Sequence, residues 1–184
     1  MRRTILIGVF TMASCARLAA GEGDENLLYG RPIGADEIAS ACFSRNYRPA
    51  HLRAHPDQNV TNVKMLAYRP VWEHRVSVVN LEFRFRGVVE PVRLSGECKP
   101  AGKGANTIEC GIECDGGRFA VMRGAQGSLL LDVPEGLSLC DGEEALDSVP
   151  SFGLDDKRFR LSPVAAPDCS ELVFDDELRD VLTK

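Results

Sequence analysis

Thr107-Ile108-Glu109-Cys110-Gly111-Ile112-Glu113-Cys114 is the stretch that decides the fold class. Ile108, Cys110, Ile112 and Cys114 recur at every second position, and Thr107, Glu109 and Glu113 fall between them. A period of two belongs to a strand with one face in the core and the other in water. The run before it repeats the pattern, with Val92, Leu94, Gly96 and Cys98 inward and Arg93, Ser95 and Glu97 outward. Earlier still, Leu81, Phe83 and Phe85 alternate with Glu82, Arg84 and Arg86. Outward arginines and glutamates on neighbouring strands suit cross-strand pairing on a solvated sheet face.

Further strands are predicted over Arg118 to Arg123, Ser128 to Val133, Leu137 to Cys140 and Lys157 to Leu161. Asp115-Gly116-Gly117, Gly124 to Gly127, Pro134-Glu135-Gly136 and an acidic loop over 141–156 separate them, with Gly and Pro where tight reversals need positive or fixed φ. Val60 to Tyr68 and Arg75 to Arg86 bring the total to about eight strands, which predicts a mainly antiparallel small barrel or sandwich. A change of apolar phase near Val78-Val79 predicts a β-bulge there. Two short helices are expected to flank this body. Ala35 to Arg45 places Ile38, Ala39 and Cys42 at helical spacing, with Asp36 and Glu37 in the first turn. Phe174, Leu178, Val181 and Leu182 repeat along one helical face near the C-terminus. Each helix is expected as a lid on an open barrel end.

With 184 residues, 44% hydrophobic and 27% charged, the chain suffices for one core, assigned to residues 35–184 behind a flexible segment 21–34. Residues 1–20 have the layout of an export signal: Arg2 and Arg3, an apolar stretch from Ile5 to Met12, and small residues from Ala16 to Ala20. Met12-Ala13-Ser14-Cys15 offers a second route, a lipobox-like site at which Cys15 would carry lipid. The segment is too short to span a membrane, and no later stretch approaches the roughly 20 apolar residues a spanning helix needs. A periplasmic or secreted protein is therefore expected, free or anchored through Cys15. Loss of residues 1–20 removes Arg2, Arg3 and Arg17, so the basic count falls from 22 to 19 against 27 acids, a net charge of −8. Such a balance gives nucleic acid no electrostatic footing.

Cys42, Cys98, Cys110, Cys114, Cys140 and Cys169 remain, an even set that predicts three disulfides in an oxidising compartment. Cys98 and Cys110 share the inward phase on strands joined by residues 99–109, so they are expected to pair. Cys114 lies about 13 Å further along its strand. The pairing of Cys42, Cys114, Cys140 and Cys169 stays open, although a simple meander would put Cys114 and Cys140 at opposite edges. A zinc site at Cys110 and Cys114 is the weaker expectation, because no second close cysteine pair or nearby histidine completes four ligands.

Candidate chemistry is thin. His51 and His55 have the i, i+4 spacing of two metal ligands on one helical face, but Pro56 biases His55 away from helix and no glutamate stands between them as in HExxH. His74 is isolated, no GxSxG elbow is present, and the carboxylates come as adjacent loop pairs such as Asp155-Asp156. No cofactor is expected. Asn59-Val60-Thr61 is a glycosylation sequon only in a eukaryotic secretory route.

Cys42-Phe43-Ser44-Arg45-Asn46-Tyr47, then His51-Leu52, His55-Pro56 and Cys110 to Gly117, resemble a set of small exported bacterial proteins of uncharacterised function. The likeness covers about two thirds of the mature chain. It implies export and compactness, no catalytic residues, and a role for His51 and His55 in fixing the loop that enters a strand. The leading functional expectation is a non-enzymatic module that binds a periplasmic or envelope protein, for instance as an inhibitor of a hydrolase. The alternatives are a small-ligand carrier using a barrel interior, and a hydrolase or metal protein built on acids such as Asp115 and Asp141 or on His51 and His55.

Overall fold

The computed structural model describes residues 22–34, 36–70, 76–102, 106–113, 115–138 and 151–183. The export segment with Cys15, and His74, Cys114, Cys140 and residues 141–150 of the acidic loop, lie outside the described residues.

Period-two stretches become strands β2 (Val60–Arg69), β3 (Ser77–Phe85), β4 (Val92–Pro100), β5 (Thr107–Ile112), β6 (Arg118–Arg123), β7 (Leu129–Asp132) and β8 (Arg158–Val164). Each pairs antiparallel with its sequence neighbours, and β8 returns to pair with β1 (Ala39–Asn46), giving a closed barrel of eight strands in chain order. Closure leaves no free sheet edge, which an open sandwich would expose.

β1 corrects the helix expected over Ala35 to Arg45. Phe43 points into the barrel and Cys42 points outward beneath the C-terminal segment, each about 5% exposed or less. A strand covered on both faces carries adjacent apolar residues, and that run imitates helical spacing. The strand expected over Leu137 to Cys140 is not formed at Leu137 and Ser138, and Cys140 lies outside the described residues. The bulge expected at Val78-Val79 is absent too. Register runs unbroken from Val78 to Arg84 against β2, and the irregularity falls at Val60/Asn62. Val78 simply points outward, half-buried, while Ser77, Val79 and Leu81 point inward.

The barrel interior is filled. Met65, Leu81, Phe83, Ile108, Leu131 and Phe159 are each 1% exposed or less, and burial of such a side chain contributes roughly 1.5–3 kcal/mol. A Cβ on inward-facing Gly96 would stand 2.8 Å from the Phe119 ring, so the glycine makes room for that ring. Cys98 and Cys110 are register partners across β4 and β5 and are bonded to each other.

Side chains also close both ends. Within residues 21–34, expected as a flexible lead-in, helix α1 (Glu22–Leu28) buries Leu27 and Leu28 against the core at the end where β2 and β6 finish. Arg69 at the end of β2 donates to Glu25 at 2.6 Å, and Arg123 donates to the Asn26 carbonyl at 2.9 Å. At the opposite end Phe152 packs edge-on against Phe83 and Phe85, with ring centroids 5.0 and 5.4 Å apart. Asp156, fully buried there, accepts from the backbone N–H groups of Asn59 (2.8 Å), Val60 (3.1 Å) and Gly153 (2.8 Å).

Helix α3 (Asp176–Leu182) forms where expected, with Asp175 capping its N-terminus through the Glu177 N–H. It is no lid. Together with the 3-10 segment Ala166–Leu172 it packs on the outer wall, where Cys169, Leu172, Leu178 and Leu182 cover Cys42 and Leu66. A disulfide ties Cys169 to Cys42. Outward polar groups beneath or beside this strap are bonded: Asn80 donates to the Leu172 carbonyl at 2.7 Å, and fully buried Glu82 sits between Arg84 and Arg93.

Replacing Cys42 and Cys169 together by alanine is expected to cost about 2–4 kcal/mol in urea unfolding and to open new protease cleavage after residue 165. Asp156→Ala leaves three N–H groups, one buried and two part-buried, without their acceptor and is expected to cost about 3 kcal/mol, read as a lower urea midpoint at unchanged slope.

Candidate functional site

The end of the barrel opposite α1 carries the features the sequence singled out. β1 finishes at Asn46, Arg48 is extended, and Pro49 opens the short helix α2 (Pro49–Ala54). Proline suits that first position because its missing N–H would have no helical partner. The helix stops at His55, whose φ of −122° and ψ of 76° lie outside the helical region that the following Pro56 disfavours.

His51 and His55 are thereby brought side by side, with ring centroids 4.3 Å apart and planes 27° apart. One nitrogen of each is engaged elsewhere. Gln58 donates its amide to the Val60 carbonyl at 2.7 Å, which turns its oxygen toward His51 Nε2 at 3.0 Å. His51 Nε2 therefore carries the proton, and Nδ1 is the nitrogen left without one in the neutral ring. His55 Nδ1 lies 3.5 Å from the Asp155 carboxylate. Stacked faces do not converge on a common metal position, and among the described residues no group of three or more His, Cys, Asp and Glu side chains is placed to hold one.

The stack extends back along the chain. Tyr47 stacks on His51 with centroids 4.8 Å apart, and the Arg45 guanidinium lies 5.0 Å from the Tyr47 ring centre. Burial pushes the Tyr47 phenol up, against the opposing pull of Arg45. Arg86 clamps the far side by donating to the carbonyls of Gln58 (2.7 Å), Leu52 (2.5 Å) and His55 (2.9 Å). Beside the stack, Arg45, Asn46, Arg48, Ala50 and His51 line a depression of about 390 Å³. Among the described residues no carboxylate lines it. The half-buried Arg45 keeps its Nε shielded and without a hydrogen-bond partner.

Comparison with protein-family profiles, curated proteins and solved structures finds no match to this chain. The local geometry alone has to carry the functional reading.

A second depression of about 390 Å³ lies on the outer wall of β4, β5 and β6, lined by Glu97, Lys99, Glu109, Glu113 and Arg118 among others. Its charges are of both signs, as expected for a solvated sheet face. Of the other candidates, Asp115 occupies a turn with φ of 57°, while Asp141 and His74 lie outside the described residues. Asn59 of the sequon donates its side-chain amide to the Ser151 carbonyl at 3.0 Å. Sequence reasoning did not single out Arg45, Tyr47 and Arg48. The available signal was the pair of arginines flanking Asn46-Tyr47 just before Pro49, obscured because the first of them had been assigned to a helix.

His51→Ala removes two ring contacts and the Gln58 bond, and is expected to lower stability by about 1–2 kcal/mol in chemical unfolding. Zinc titrated into the folded protein should give no stoichiometric calorimetric signal that depends on His51 and His55.

Proposed function

We propose that this chain is an exported, non-enzymatic binding module whose α2 end recognises a periplasmic or envelope protein, with inhibition of a hydrolase as one form of that action. The observation that carries this reading is a barrel whose interior is occupied by its own side chains and whose α2 end is rigidly built. A packed interior favours this reading over a small-ligand carrier, which would need space for its cargo inside the barrel. Recognition is then left to the surface. Loops held by a rigid scaffold suit this task, since little ordering entropy is lost on binding.

Several features accord with export. Two disulfides among the described residues fit an oxidising compartment, and none of the described helices is long and apolar enough to cross a membrane. The basic and apolar layout of residues 1–20 supports secretion, with lipidation at Cys15 as the other route. The same reading groups the chain with the small exported bacterial proteins it resembles.

The exposed residues Val89 (84%) and Leu154 (77%) lie at this same end, in the β3–β4 hairpin and the segment that carries Phe152. Apolar side chains at loop tips make suitable contact points for a partner. A photo-crosslinking residue at Ala50, offered to envelope extract, is expected to capture one saturable protein, and the same residue at Lys99 on the outer wall is not. No saturable capture at either position, or an apolar small molecule retained in native mass spectra, would overturn the reading.

A further inference from the structure

The depression beside α2 combines three features that the binding reading alone does not use. Among the described residues, Arg31, Arg69, Arg84, Arg93, Arg158 and Arg179 are all committed to carboxylates of this chain. Arg45 and Arg48 form no ion pair there, and share one depression that no acid among the described residues lines. Arg45 lines it and lies over the Tyr47 ring, with its Nε–H buried and unbonded. Solvent screens such a charge only partly, so an anion seated above it is attracted more strongly than by a free surface arginine. The third feature is His51, whose ring lines the depression and is held in place through Nε2 by Gln58.

We infer that this depression is a carboxylate-binding site that receives a glutamate or aspartate side chain from an acidic segment of the partner. Guanidinium groups match a carboxylate with paired N–H donors, and the Tyr47 ring keeps one of them in a fixed plane. A protein of acidic net charge repels an acidic segment at long range. Binding there requires a local cationic seat, which Arg45 and Arg48 supply. The inference rests on the proposed function for the existence of a partner, and on the depression itself for that partner's chemistry.

The test uses fluorescence anisotropy of a labelled, amidated (Gly-Glu)4 peptide with the folded, oxidised protein at low salt, beside its (Gly-Gln)4 counterpart. Binding is expected for the glutamate peptide alone. Arg48→Glu should weaken it about tenfold or more, as reversal of a contacting charge does, whereas Arg53→Glu, the same change within α2 and away from the depression, should weaken it less than about threefold. Circular dichroism of both variants checks folding, and the Arg45 side-chain Nε–Hε resonance of the wild type should shift on titration. Equal loss in the two variants would mean diffuse attraction and overturn the site. Displacement of the peptide by equimolar inorganic phosphate would assign it to anions in general and overturn the carboxylate. Envelope capture at Ala50 that survives Arg48→Glu would sink this inference and leave the proposed function standing. Peptide binding lost in Arg48→Glu without any envelope capture would do the reverse.

Discussion

Pairing of β8 with β1 is the contact on which the rest of the molecule depends. It converts a meander of eight strands, joined by seven sequential pairings, into a barrel without edges. It is also a narrow seam. β1 and β8 share three register pairs, against eight between β1 and β2, and one of the three contains Pro163, which has no N–H to give. The Cys42–Cys169 disulfide stands directly beside this seam, joining β1 to the segment that follows β8. Position explains its value: it restrains the weakest junction of the barrel with a link across 127 residues of chain.

The seam also creates a second buried layer. Once the chain after β8 is tied to Cys42, it lies across the outer faces of β1, β2 and β3 and turns wet-side positions into interior ones. Leu66 becomes core, while Asn80 exchanges water for the Leu172 carbonyl and the Ser95 hydroxyl. Glu82 stands between Arg84 and Arg93 although no solvent reaches it, an arrangement in which attraction offsets desolvation only because both partners are present. At the α2 end the same economy of polar groups holds. Asp156 and Arg86 satisfy backbone groups that a short helix and a tight loop leave over. The stack of Arg45, Tyr47, His51 and His55 is thereby fixed in one arrangement, and the depression beside it is preformed.

How far each part was legible depended on whether its faces had different neighbours. β4 and β5 have one face in the core and one in water, so alternation identified them, placed Cys98 and Cys110 inward and predicted their bond. β1 is covered on both sides, and its run of Ala, Ser, Cys and Phe then mimicked a helix. α1 was hidden for a related reason: seven residues hold no full amphipathic repeat, and Leu27 and Leu28 acquire meaning only against a barrel end. At the site, the two histidines were visible as a spacing. Their stacking, and the arginines that share the depression, required knowing that a strand ends at Asn46.

The sequence by itself determined a mainly β domain of about eight antiparallel strands, the inward phase of its central strands and the pairing of Cys98 with Cys110. These follow from local periodicity, which a strand's pleat converts directly into burial. Tertiary structure alone decided that the sheet closes, that Cys42 meets Cys169, that the C-terminal helix covers a wall instead of an end, and that Arg45 and Arg48 line one depression. Each of these depends on residues distant in the chain being brought together by closure, and no local pattern encodes which distant residue will arrive.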